Sequence, residues 1–355
     1  MVPVRDDLRA LEGYHSEQVA ADTRLNTNES PYPPPDRWFA DLATALADID
    51  WRRYPDRAAI ELRSAIASWH GVALDSVFAA NGSNEVLQTV LLTYAGAGRN
   101  VVTFEPTYQL HAHLARTSGA TVVEVERNGD FGLDLEVAER TMASARPAVT
   151  FLCSPNNPTG MVESAATVRR LLLAVPGLLV VDEAYAQFAD WTALDLVAED
   201  QPLAVVRTFS KTWSMAAVRL GYVVGPTWFV ADLQRVVLPY HLDAVKQLAG
   251  RLALEHVAEM DERVKLVVAE RERLTDELGA LPVDVFPSGA NFVLFRPHGR
   301  AGHDVWQQLV DRGVLVRDCS RWARLDDCLR VTVGMPDEDD RFLQALRAVL
   351  GTVGS

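Results

Sequence analysis

The 355-residue chain carries 34 Lys plus Arg against 48 Asp plus Glu, a formal net charge of −14. That balance excludes a uniformly basic face for nucleic acid or an anionic membrane, and the length suggests about two domains with a sizeable core. Only three of the cations are lysines (Lys211, Lys246 and Lys265), so any chemistry that needs a lysine amine has three candidates.

At the N-terminus, MVPVRDDLRALEG has no apolar run of the signal-peptide kind. The segment 26–36 (NTNESPYPPPD) reads as an extended arm, because proline fixes φ and restricts the residue before it. Helical spacing follows over 58–70, then a short apolar strand 77–80, and NGSNE opening a helix over 85–94. A buried strand is expected at 100–104, a loop running into a helix at 105–116, and a β-branched strand at 121–125. Strand 148–153, helix 164–173, strand 178–181, strand 204–208 and strand 220–224 complete the alternation. The longest apolar run, near 171–181, is broken by Pro176 and Gly177 and is too short to span a bilayer. Short apolar strands separated by helices predict an α/β fold, a mostly parallel sheet with helices on both faces.

The pattern changes near Pro239. A charged helical region of about 35 residues covers 243–278, with a break expected near 258–260. Strand 291–295, helix 303–311, strands 314–317 and 329–333 and a terminal helix 338–350 follow, which suggests a smaller α+β domain. The expected organisation is an N-terminal arm (1–30) packing with the small domain or a partner subunit, a large domain (31–238) and a small domain (239–355). Three widely spaced cysteines without a CxxC argue against a disulfide framework and for a reducing cytoplasm. The eight histidines show no metal-type spacing, so no metal is expected.

In open α/β sheets, ligands sit beyond the carboxyl ends of the strands. After strand 77–80, Ser83 and Asn84 stand at a helix N-terminus, where free N–H groups favour an anion. After strand 148–153, Asn156 and Asn157 lie between two prolines, which holds a side-chain amide rigidly. Asp182 ends strand 178–181, with Tyr185 three residues on. After strand 204–208 come Ser210 and Lys211, with Arg219 eight residues later. Lys246 and Lys265 fall within the charged helices and read as solvated. Lys211 is therefore the natural Schiff-base amine, and Ser210 and Arg219 are phosphate donors. An anion cradle, a carboxylate for a pyridinium nitrogen and a lysine for an aldehyde together describe a pyridoxal-phosphate site.

The motifs that carry these residues resemble those of the fold-type I pyridoxal-phosphate aminotransferases, and within them the histidinol-phosphate aminotransferases. They are LNTNESPYP (25–33), RYPD (53–56), NGSNEVLQ (81–88), EPTY (105–108), CSPNNPTG (153–160), VVDEAY (180–185), TFSKTWSMAAVRLGY (208–222), PYHL (239–242), ANFVLF (290–295), VLVRD (314–318) and LRVTVG (329–334). The resemblance implies that Lys211 forms the Schiff base with pyridoxal phosphate and shuttles the substrate α-proton. It implies that Asp182 pairs with the ring nitrogen, that Asn157 and Tyr185 contact the ring hydroxyl, and that Tyr108 stacks on the ring. Ser83, Asn84, Ser210 and Arg219 would hold the cofactor phosphate, and Tyr54 would reach the neighbouring site of a homodimer. Arg330 and Arg317 match substrate-anion arginines, Tyr14 matches a substrate-phosphate contact, and Asn28 and Tyr240 would line the substrate pocket. The substrates implied are histidinol phosphate with 2-oxoglutarate or, in reverse, glutamate. Transamination of phenylalanine or other aromatic amino acids is the nearest alternative. A threonine-phosphate decarboxylase and a non-catalytic regulator are more distant ones; motifs that begin by residue 25 and an acidic chain argue against the regulator with its DNA-binding segment.

Overall fold

A computed structural model of the protein describes residues 2–9, 11, 13 and 19–351. In chain order these form β1 (Thr23–Leu25), α1 (Asp36–Leu46), α2 (Ile60–His70), β2 (Val77–Ala80), α3 (Gly82–Tyr94), β3 (Asn100–Glu105), α4 (Leu110–Thr117), β4 (Thr121–Glu126), α5 (Leu135–Ala145), β5 (Val149–Cys153), α6 (Ala165–Ala174), β6 (Leu178–Asp182), β7 (Leu203–Thr208), β8 (Gly221–Val224) and α7 (Thr227–Val236). They continue as α8 (Ala244–Ala253), α9 (Val257–Gly279), β9 (Val283–Val285), β10 (Phe292–Pro297), α10 (Gly302–Val310), β11 (Val314–Asp318), β12 (Leu329–Thr332) and α11 (Pro336–Gly351). None of the described helices is long and apolar enough to cross a membrane.

Seven strands make one sheet in the order β2-β8-β7-β6-β5-β3-β4, parallel except for β8, which runs antiparallel to both neighbours. Strands β5, β6 and β7 are buried throughout, as expected where helices cover both faces. Successive side chains alternate between two cores. Val180 packs with α3 and α7 residues such as Val90 and Phe229, while Leu179 and Val181 pack with Met142 of α5 and Val168 and Leu171 of α6. Asp134 and Ser164 cap α5 and α6 by accepting the N–H of Val137 and Thr167, each at 3.0 Å.

A second sheet has the order β1-β11-β12-β10-β9, antiparallel except for β1 beside β11. The arm thus begins as an edge strand of this sheet, with Thr23, Arg24 and Leu25 opposite Val314, Leu315 and Val316. The expected break in the long charged region falls earlier, at a 3-10 turn over Leu254–His256. The helical region changes cores after this turn, within α9. Ala249, Leu252, Ala253 and Met260 pack with Trp38 and Ile66, whereas Val267, Leu274 and Leu278 pack against the second sheet.

Helix α3 starts at Gly82, three residues before the expected start. Glu85 accepts the backbone N–H of the N-cap residue Asn81 at 2.5 Å, and Ser83 and Asn84 fall inside the first turn.

Candidate active site

The carboxyl ends of the parallel strands converge on a cavity of about 370 Å³. Asp182 is the last residue of β6 and is 2 % exposed. Its Oδ1 accepts the N–H of Ala184 at 3.2 Å, and its Oδ2 lies 2.9 Å from Nε2 of the fully buried His111. His111 stacks on Phe151 of β5 with ring centroids 4.8 Å apart, which fixes its plane. Spacing held a signal for this contact. His111 follows Tyr108 by three residues, and the two rings meet edge to face at 5.4 Å. Tyr108 also donates from its hydroxyl to Asn84 Oδ1 at 3.3 Å, spanning the cavity towards α3.

The two asparagines after β5 divide their tasks. Asn156 is spent on structure, accepting from Thr107 at 2.8 Å and donating to the Pro106 carbonyl at 3.0 Å. Asn157 faces the cavity, and its Oδ1 accepts from Arg330 at 2.5 Å.

After β7, Ser210 and Lys211 enter the same space. Arg219, with φ +57, turns its Nη1 towards Ser210 Oγ at 3.3 Å. A Cβ on Gly82 would lie 3.0 Å from Arg219 Nη2, so glycine there lets the guanidinium lie close against the start of α3. Gly221 is tighter still. A Cβ would meet Ser83 N at 2.3 Å and the Gly82 carbonyl carbon at 2.5 Å. Gly221→Ala is therefore expected to destabilise the fold by about 1–3 kcal/mol and to push the α3 N-terminus out of place. Thermal melts and cofactor titration read both effects, and a variant with parental stability and affinity contradicts the packing argument.

Lys211 donates from Nζ to the carbonyl of Thr27 at 3.0 Å, which ties it to the arm. Enclosure by the surrounding chain, with Arg330 and Arg219 nearby, pushes its ammonium down to about 7, against the opposing pull of Glu29. The other lysines lie elsewhere. Lys265 pairs with Glu262 at 2.7 Å on the surface. Lys246 is not fully solvated as expected, because it bridges Asp243 and Asn81 Oδ1. Neither lines the cavity.

The arm and the second sheet close the site. Asn28, at φ +55 and 1 % exposed, donates to the Tyr185 hydroxyl at 2.9 Å and accepts from Thr332 of β12 at 3.0 Å. Burial pushes the Tyr185 phenol well above its usual range. Arg330 on β12 donates to the Asn26 carbonyl at 2.8 Å and lies over the Phe292 ring at 5.1 Å. Its direct cross-strand partner is Arg317 of β11, and both line the cavity. Two like charges directly opposite each other on neighbouring strands are destabilising on their own. An anion between them relieves that cost.

Of the residues expected at the site, twelve line this one cavity. Tyr54 and Tyr240 do not. They stack on each other at 4.6 Å on the surface, 81 % and 43 % exposed. Tyr240 is thus displaced from the expected substrate pocket of its own chain, because its left-handed backbone (φ +59) belongs to the turn before α8. Tyr14 lies outside the described residues. Sequence reasoning missed His111 and the Thr27 carbonyl, and it missed Trp322, which also lines the cavity.

The chemistry of this set fits pyridoxal phosphate. The start of α3 with Ser83, Ser210 and Arg219 can hold a phosphate dianion. Asp182, held by His111, can face a protonated ring nitrogen, and Lys211 can meet an aldehyde. Only the neutral amine attacks an aldehyde. Uptake of pyridoxal phosphate by the cofactor-free protein should therefore quicken with pH up to about 7 and then level off. Stopped-flow absorbance measures this, and a rate still climbing towards pH 10 contradicts the lowered value.

The sequence profile of the family described as aminotransferase class I and II matches residues 21–346. The histidinol-phosphate aminotransferase of Streptomyces avermitilis is 43% identical over 359 residues, spanning 98% of this chain and 96% of that one. That of Mycobacterium marinum is 40% identical over 361 residues, spanning 99% and 93%. Among solved structures, the histidinol-phosphate aminotransferase from Sinorhizobium meliloti in complex with pyridoxal-5'-phosphate shares the fold. Its TM-score is 0.86 at 22% identity, with 94% of this chain and 92% of that one covered. A strand-end cavity built around one lysine, and sequence likeness over almost the whole length, agree that the chain belongs to the class I and II aminotransferases.

Proposed function

We propose that this protein transfers an amino group between histidinol phosphate and 2-oxoglutarate, with glutamate as donor in the reverse direction. The observation that carries the reading is the cross-strand pair Arg317 and Arg330 facing a cavity that also holds Lys211 and Asp182. Both substrates are anionic at a point remote from the reacting carbon, and the relatives' names supply the phosphorylated one.

Pyridoxal phosphate, when bound, supplies an electron sink that makes the substrate α-proton acidic. The chain's own residues do the rest. Ser83, Asn84, Ser210 and Arg219 would hold the phosphate, and Tyr108 would stand beside the ring. Asp182, oriented by its contacts with Ala184 and His111, would face the ring nitrogen and favour a proton there. Asn157 and Tyr185 would be placed to contact the ring hydroxyl. Lys211 Nζ, whose lowered pKa leaves much of it neutral near pH 7, takes the α-proton of the bound substrate. Arg330 and Arg317 receive the phosphate of one substrate or the carboxylate of the other, and Asn28 lines the same cavity.

We further infer a homodimer in which Tyr54 reaches the neighbouring site. The exposed aromatic pair Tyr54 and Tyr240, beside the exposed Leu238, supports it. Three buried free cysteines suit the reducing cytoplasm. The large and small domains are taken as 31–238 and 239–355, with 1–30 as the arm.

The test is a donor screen with 2-oxoglutarate as acceptor. Histidinol phosphate should be the best donor among histidinol phosphate, phenylalanine, tyrosine and threonine phosphate. Preference for phenylalanine, or release of carbon dioxide from threonine phosphate, overturns the substrate assignment and leaves the family in place.

A further inference from the structure

We propose that Trp322 is a positioning residue for the remote anion of the substrate, holding the Arg317 guanidinium at the mouth of the cavity. The proposal rests on the reading that Arg317 receives that anion. The Arg317 guanidinium lies over the Trp322 ring at 5.5 Å. Both residues line the catalytic cavity, and both also line an adjoining cavity of about 550 Å³. They therefore stand on the boundary between the two spaces. The contact with the indole uses only the flat face of the guanidinium, so it fixes the plane of the group without drawing on its N–H donors.

The loop that carries Trp322 is fixed from two sides. It joins β11 to β12, and its base is closed by Cys319 N–H donating to the Cys328 carbonyl at 3.1 Å. Tight turns follow, with Trp322 N–H on the Cys319 carbonyl at 2.9 Å and Leu325 N–H on the Trp322 carbonyl at 3.1 Å. Cys319, Leu325 and Cys328 are fully buried with Leu294 of β10 and Phe131. From the other side, Arg324 crosses to the seven-stranded sheet. It donates to the Arg127 carbonyl at 2.8 Å and pairs with Glu126 at the end of β4. Trp322 is thus held where the two sheets meet, and a loop secured this way can set the position of a long, flexible arginine.

The test uses the full-length holoenzyme with histidinol phosphate. Trp322→Ala should raise KM about tenfold with kcat and the cofactor absorbance within about twofold of the parent. Trp322→Phe, which keeps an aromatic face, should recover most of that loss. Combined with Arg317→Ala, Trp322→Ala should add nothing further, since one residue acts through the other. An unchanged KM, a fall in kcat without a change in KM, or multiplying effects in the double variant overturns the proposal. If the parent does not turn over histidinol phosphate at all, the substrate assignment fails by itself. The same cycle is then read with glutamate, whose distal carboxylate is the remote anion.

Discussion

Replacing Lys211 with alanine is expected to lower transamination by at least about 10⁴-fold, the scale of losing a positioned proton-transfer group together with its covalent attachment. The visible absorbance of bound pyridoxal phosphate should disappear as well. The fold should survive, because the side chain gives up one hydrogen bond, to the Thr27 carbonyl. Burying a cation there is unfavourable, as the lowered pKa records, so thermal stability of the cofactor-free protein should hold or rise. Activity within tenfold of the parent would remove Lys211 from the chemistry.

Asp182→Asn carries the second large effect. The substitution preserves shape and can keep the contacts to Ala184 and His111. It removes one negative charge from a position 2 % exposed to solvent, where charge interactions are strong. A fall in kcat of about 10²–10³-fold is expected, with a smaller change in KM, because the charge acts on the reacting ring and not on the substrate anion. Steady-state kinetics at saturating substrate measure it. A loss confined to KM would mean that Asp182 only shapes the pocket.

Much of the site is legible in the sequence because an open α/β sheet places its ligands at strand ends. Ser83, Asn157, Asp182 and Lys211 each follow an apolar run by a few residues, so locating the strands located them. The scarcity of lysine then left little choice. Other parts depend on contacts that no local pattern records. Strand β1 is three residues long and exists only by pairing with β11. Helices α1, α5 and α7, each 10 or 11 residues long, have no counterpart among the elements expected from the sequence. Arg317 and Arg330 are thirteen residues apart in sequence, and their direct cross-strand opposition comes from the register of β11 on β12. The contact of His111 with Asp182 joins α4 to β6 across 71 residues. Tyr240 was placed in the pocket by motif alone, whereas in the fold it stacks on Tyr54 at the surface.

The central claim is that Lys211, among three lysines, is the amine that holds the cofactor. Borohydride reduction of the holoenzyme followed by peptide mass spectrometry tests it most directly. The account predicts the reduced cofactor mass on the peptide containing Lys211 and on no other. Its appearance on Lys246 or Lys265, or on no lysine, would contradict the account.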